Sequence, residues 1–446
     1  MDKRWIIIGI GVTLIVVFLI IILATRGSNN SSQTNTNLVI WDSYDTEENF
    51  SQAISKFNEN NPTINVQFVK KNPATYETDS INAIASGQGP DIWIIPSNWA
   101  AKQNTKLSAM PEKTLDPSGK KTNADIYKTM FLPAAYQDNV GSGGVYGVPL
   151  FMDSLSLFSN TSLLYKQLTA YTTANPQADQ NAVSTVFNTA PKTWDDLATL
   201  IKYYGQNAIA LGSTNVEKAS DILSALMLQY GAQMNANDYS SALFHTSTNL
   251  ISETSYPGTK ALSFYTSFAK AGDPNYTWAP ANKSAYEAFV DGKVAMIVNY
   301  TQIQSQLTKD MGNNFRIDAL PQIQKTTQPT DLASYQVMTV PKASANTATA
   351  WKFINFFNTD PYYGSAQYLQ KTGLHSPRIE DTKTSTDKIE VQNAQAKTWH
   401  NPDPVNVDII FKGAITEVLN GQNPQTVIDG AAAQVTNLLA SLKGSQ

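Results

Sequence analysis

A chain of 446 residues exceeds what one ordinary hydrophobic core organises and suffices for two large lobes. Only 15% of its residues are charged and the net charge is −4, with no Lys/Arg cluster, which excludes a nucleic-acid surface; Asn, Gln, Ser and Thr take up the difference. The absence of cysteine excludes disulfides, Cys–zinc sites, thiol catalysis and a lipid-modified N-terminal cysteine.

The first element is the run Trp5–Ala24, twenty residues without a charge. As a helix it would be about 30 Å long, the thickness of a bilayer's hydrocarbon core. Lys3 and Arg4 precede it, which sets residue 1 in the cytoplasm and the remainder outside. The competing reading is a cleaved signal peptide. The run is long for that, and "ILATRG" is a poor cleavage site, so an uncleaved transmembrane anchor is favoured. Residues 25–37 contain almost nothing apolar and read as a flexible tether.

From Leu38 the pattern is α/β. "LVIW" (38–41) suits a buried strand. Phe50, Ala53, Ile54 and Phe57 then fall on one helical stripe, behind a Thr46 cap and the dipole-favoured Glu47 and Glu48. Ile64, Val66 and Phe68 alternate as a second strand, so the unit is βαβ and its sheet parallel. A helix over 76–86 with Gly87 after it leads to a strand over Asp91–Ile95. In open α/β sheets ligands sit beyond the carboxyl ends of strands, which here are occupied by Asp42, Ser43 and Tyr44 and by residues 97–100, "SNWA".

The stretch "GGVYGVPLFMDSLSLFSNTSLL" (143–164) interrupts an apolar run with Asp153 and Ser154, groups that are costly to bury without partners. "PKTWDDLATLIKYYG" is a helix capped by Thr193, with Leu197, Leu200, Ile201 and Tyr204 as its stripe. "SAYEAFVDGKVAMIVNYTQ" reads as a helix, a turn at Asp291–Gly292 and a strand over Val294–Val298, with Tyr300 at its end. "SANTATAWKFINFFNTDP" is another capped helix, and two more are broken at residues 420–424. The three histidines, His245, His375 and His400, are far apart, and no H-E-x-x-H, G-x-S-x-G or P-loop occurs. Asp42, Asp45, Glu47 and Glu48 mimic a calcium loop but lack its glycine and terminal glutamate, so no metal and no cofactor is called for.

Seven segments in this order carry a resemblance: "LVIWDSYDTEENFSQAISKFNENNPTINVQFV", "GQGPDIWIIP", "GGVYGVPLFMDSLSLFSNTSLL", "PKTWDDLATLI", "AYEAFVDGKVAMIVNYTQ", "AWKFINFFNT" and "LNGQNPQTVID". The chain resembles the family 1 extracellular solute-binding proteins of ATP-binding-cassette importers, the maltose-binding-protein-like group, from residue 38 to its end. The resemblance implies an α/β, two-lobed periplasmic-binding-protein-like fold of type II with the ligand between the lobes. It divides the chain into a first lobe of 38–150 and 292–345 and a second of 151–291 and 346–446. The strand through Asp153 would then cross between lobes, leaving Asp153 and Ser154 to solvent or ligand hydroxyls.

Pyranose sugars need flat rings for their C–H faces and carboxylates, amides and hydroxyls for their rims. The resemblance puts Ser43, Tyr44, Asn98, Trp99, Phe151, Asp153 and Tyr300 at the cleft as ligand-binding candidates, joined by Trp278, Tyr335 and Trp399 from loops and a second crossing. Trp41, Trp93, Phe315 and Trp351 read as core. The implied activity is capture of a neutral sugar or oligosaccharide by a monomer and delivery to an importer permease, at the extracytoplasmic face of the membrane. A ligand-sensing subunit of a membrane signalling system is the second reading. A carbohydrate-active enzyme is the third, with no motif in its support.

Overall fold

The computed structural model describes residues 35–444 apart from 142, 250–253, 280, 282 and 325–328. The expected anchor Trp5–Ala24, and the tether as far as residue 34, lie outside the described residues. Among the described residues no helix is long and apolar enough to cross a membrane.

The strands that matter here run in chain order as β1 (Thr36–Asp42), β2 (Ile64–Lys70), β3 (Ile92–Pro96), β4 (Gly147–Pro149), β5 (Asp153–Asn160), β6 (Met296–Tyr300), β7 (Phe315–Ala319), β8 (Ala333–Ser334) and β9 (Gln336–Thr339). One sheet has the order β2-β1-β3-β9-β4, with β1, β2 and β3 parallel and β9 antiparallel to both β3 and β4. β1 begins two residues inside the expected tether, because Thr36 and Asn37 stay in register with Ile64 and Asn65. The second sheet is antiparallel, β6-β5-β7, and β8 also pairs with β5. Each sheet lies in its own hydrophobic core.

The helices needed below are α1 (Glu47–Asn60), α2 (Tyr76–Ala85), α3 (Pro133–Asn139), α4 (Ala219–Gln229), α5 (Lys388–Asn393) and α6 (Pro404–Leu419). The stripe of α1 buries Phe50, Ala53, Ile54 and Phe57, as its spacing predicts. The helix Trp194–Tyr204 opens on Thr193, whose hydroxyl accepts from Asp196 N–H while Asp196 accepts in return, a capping box.

The sheets divide the chain differently from the expected lobe boundaries. β6 and β7, expected in the first lobe, pair with β5 over Leu155–Ser159 and Ser156–Asn160 and so lie in the second. The chain returns to the first sheet only at β9. The helices Thr347–Thr359 and Ser365–Thr372, expected in the second lobe, pack into the first core. Phe357 stacks on Phe50 at 5.4 Å, and Phe353 meets Phe57 edge-on at 5.1 Å. The reason is physical: strand pairing and ring packing between distant segments decide membership, and neither is a local property of the sequence.

Three segments join the sheets. Residues 150–152 connect β4 to β5, Tyr335 connects β8 to β9, and residues 394–399 lead from α5 back towards α6. The second and third are tied together by Ala333 N–H to Lys397 O at 2.9 Å and Lys397 N–H to Asp331 O at 2.8 Å.

Candidate ligand cleft

β5 buries all eight of its residues, and its polar start is satisfied by protein rather than by an opening to solvent. Asp153 accepts hydrogen bonds from Ser154 N–H (2.9 Å), Thr301 Oγ1–H (2.9 Å) and Gln302 N–H (3.0 Å). Ser154 Oγ donates to Asn393 Oδ1 at 2.6 Å and accepts from Gln392 Nε2 at 2.8 Å. The expectation that ligand or water satisfies this pair is therefore corrected. The partners come from the turn after β6 and from the end of α5, and Asp153 acts as a rivet between segments at the crossing.

The cleft itself is a cavity of about 210 Å³ with walls from both lobes. The first lobe supplies Asn98 and Ala101 beyond β3, Gln137, Asp138 and Asn139 at the end of α3, and Tyr146. The second supplies Asp221 from the first turn of α4, Tyr239, and Tyr300 at the end of β6. The crossings supply Ser334 and residues 398–401. Among the ten predicted site residues, Asn98, Tyr300 and Trp399 line this cavity.

The other seven do not. Tyr335 is buried beneath it, its hydroxyl donating to Asp138 Oδ2 at 2.6 Å. Ser43 and Tyr44 are half-buried beyond β1, and the Tyr44 ring lies 5.7 Å from that of Phe151, which is fully buried in the first core. Trp99 packs on Tyr76 and Trp93, at 5.9 and 6.3 Å between centroids. Asp153 is the rivet described above. Trp278 is fully buried in the second core, with Nε1 donating to Asn215 Oδ1 at 2.8 Å.

The residues that sequence reasoning missed are Asp138, Asp221, Tyr239 and His400. The rings of Tyr239 and His400 stack at 4.1 Å and 13°, giving one broad flat surface. Burial and Lys443 lower the His400 imidazole to about 4, so it is neutral at physiological pH. Tyr239 sits at φ +56°, a left-handed conformation that is strained for an aromatic residue and is found at ligand clamps. Burial pushes the Asp138 carboxyl up to about 7, against the hydroxyls of Tyr335 and Thr398 that hydrogen-bond to it. Among the described residues no Lys or Arg lines the cavity.

Polar contacts tie its surroundings together. Thr398 Oγ1 donates to Asp138 Oδ1 at 2.7 Å. Lys102, just past β3, pairs with Glu77 on α2 at 3.0 Å and with Asp403, the cap of α6, at 3.3 Å. Lys102 thus bridges an acid of each lobe, an arrangement that opening would break.

A second buried acid sets a pH dependence. Burial and the Asp45 carboxylate raise Asp42 to about 7, and its Oδ2 has no hydrogen-bond partner. With Asp42 and Asp138 raised from about 4 to about 7, the native state holds protons that the unfolded chain has released between those values. Stability therefore falls as pH rises through that window. The melting temperature is expected to drop from pH 5 to pH 8 by about 1 °C for each kcal/mol lost. Asp42→Asn should match the wild type below about pH 4 and exceed it at pH 8, as read by thermal melting.

The arrangement is a two-lobed α/β fold with a cavity between the lobes lined by rings, amides and carboxylates. The chain belongs to the family of bacterial extracellular solute-binding proteins, whose model matches residues 52–397. It is accordingly a binding protein rather than an enzyme, of a family that works outside the cytoplasm. The sequence matches no curated protein. The fold is similar to that of the GacH receptor of Streptomyces glaucescens, solved unliganded and with acarbose: 16% identity, 91% of this chain and 99% of that one covered, TM-score 0.68. It is similar to the sugar-binding protein MalE of Xanthomonas citri at 18% identity, covering 92% and 98% of the two chains, TM-score 0.68. It is also similar to a solute-binding protein of an ABC transporter from Thermotoga lettingae bound with α-D-tagatose, at 20% identity, 91% and 100% coverage and TM-score 0.66.

Proposed function

We propose that this protein captures a sugar or oligosaccharide in the interlobe cleft and delivers it to the permease of an ABC importer. The observation that carries the reading is the pairing, in one cavity, of flat aromatic surfaces with a polar rim. Trp399, Tyr300 and the Tyr239–His400 stack supply the faces; Asn98, Gln137, Asp221 and Asn401 supply the rim. Sugars have that two-sided chemistry, and solved structures of the same fold include proteins described as binding acarbose, tagatose and maltose. Ligand that contacts both lobes favours the closed arrangement, so its binding energy becomes a population shift that a permease can read. The uncharged run Trp5–Ala24 would hold the protein at the extracytoplasmic face of the membrane, where proximity raises its effective concentration at the transporter.

The test is thermal melting of the full-length chain against mono- and oligosaccharides, with amino acids and short peptides as controls. A sugar at a hundred times its Kd stabilises by about 2.7 kcal/mol, a rise of a few degrees. A shift with peptides and none with any carbohydrate would replace the ligand class.

A further inference from the structure

Resting on the sugar-binding reading, we infer that the cleft selects by charge: it takes a basic sugar, one bearing an amine, and Asp221 is the residue that receives the ammonium group. Asp221 is half-buried at the cavity wall, with one oxygen, Oδ2, accepting from Tyr300 Oη–H at 3.1 Å. Its other oxygen has no hydrogen-bond partner among the described residues, so a carboxylate acceptor is left for whatever fills the cavity. Lys218 lies over the Tyr300 ring, 5.3 Å from its centroid, and Lys412 is paired with Asp408 at 2.8 Å; neither forms an ion pair with Asp221.

Burial raises the Asp221 carboxyl, while Lys218, the Tyr300 hydroxyl and Lys412 act against that rise. Asp138, across the cavity, adds negative potential when ionised, and both of its oxygens are already occupied by Tyr335 and Thr398. His400 contributes no positive charge, and the described lining residues include no Lys or Arg. A uronate or a sugar phosphate would meet no Lys or Arg among the described lining residues, and its own charge would face Asp221. An ammonium group finds an open carboxylate oxygen, and the ring face of Trp399 favours a cation further. A neutral hydroxyl can use the same oxygen, through a weaker hydrogen bond than a charge-assisted one.

The experiment is calorimetric titration of the full-length chain with matched probes: chitosan trisaccharide, tri-N-acetylchitotriose, cellotriose, maltotriose and trigalacturonate. The amine-bearing trimer is expected to bind about tenfold or more tightly than its acetylated counterpart, and trigalacturonate not measurably. Asp221→Asn should bring the ratio of the first two affinities close to one. A measurement on the wild-type chain guards against a variant that fails to fold. The preference should fade as pH rises past the deprotonation of the amine and as salt rises, while binding of the acetylated trimer stays level. Neutral sugars bound as tightly as the amine, a ratio untouched by Asp221→Asn, or tight binding of trigalacturonate would overturn the charge selection and leave the sugar reading standing. Binding of none of the probes, with peptides shifting the melt, would overturn both.

Discussion

Asp153→Ala is expected to lower the unfolding free energy by about 3 kcal/mol or more in denaturant titration, the largest stability loss expected of any single cleft-side substitution. The side chain is fully buried, and its carboxylate gathers three donors: Ser154 N–H, Thr301 Oγ1–H and Gln302 N–H. Alanine removes the acceptor and leaves two backbone N–H groups and a hydroxyl buried without it, each at a cost of about 1–3 kcal/mol. Two of those donors belong to the turn after β6, while Asp153 opens β5, so the bond set pins the crossing to the second lobe. Burial raises the Asp153 carboxyl above the usual range, and the same hydrogen bonds oppose that rise. Asp153→Asn should be milder, because the amide oxygen still accepts from Thr301 while its NH₂ group confronts Gln302 N–H. A variant with near-native stability that fails to bind any sugar would return Asp153 to the role of a ligand contact.

That role is where sequence and structure part, and the reason is instructive. A carboxylate inside an apolar run signals a polar partner, but not whether the partner is a ligand or another segment of the chain. Here it is residues 301 and 302, about 150 positions away, and no periodicity reports such a meeting. The local features were legible: the stripe of α1, the Thr193 cap, and the strand ends bearing Asn98 and Tyr300. Trp278 and Trp399 show the limit. Both stand in polar loops, yet one is sealed into the core by a bond to Asn215 and the other is half-buried at the cleft. Asp221 was invisible because an acid in the first turn of a helix is what the dipole alone favours. Tyr239 was hidden in a turn, and only its backbone angle and its stack on His400 single it out.

Those rings carry the largest expected effect on binding. Trp399→Ala should weaken the affinity for the bound carbohydrate by about tenfold to a hundredfold, in keeping with the 1–3 kcal/mol that a well-placed ring contact contributes. The Trp399 ring stacks on Phe411 of α6 at 6.4 Å and 22°, so its orientation is set by the second core while it borders the cavity. Trp399→Phe keeps a flat face and should recover most of the affinity. Tyr239→Gly separates binding from folding more sharply. Glycine relieves the +56° backbone, which should raise stability by about 1 kcal/mol, and it deletes the ring stacked on His400, which should weaken binding by about tenfold. Melting temperature and affinity would then move in opposite directions, which general loosening of the fold cannot produce. If Tyr239→Gly binds as the wild type does, the stack is a structural pairing of the second lobe, and the aromatic surface of the site reduces to Trp399 and Tyr300.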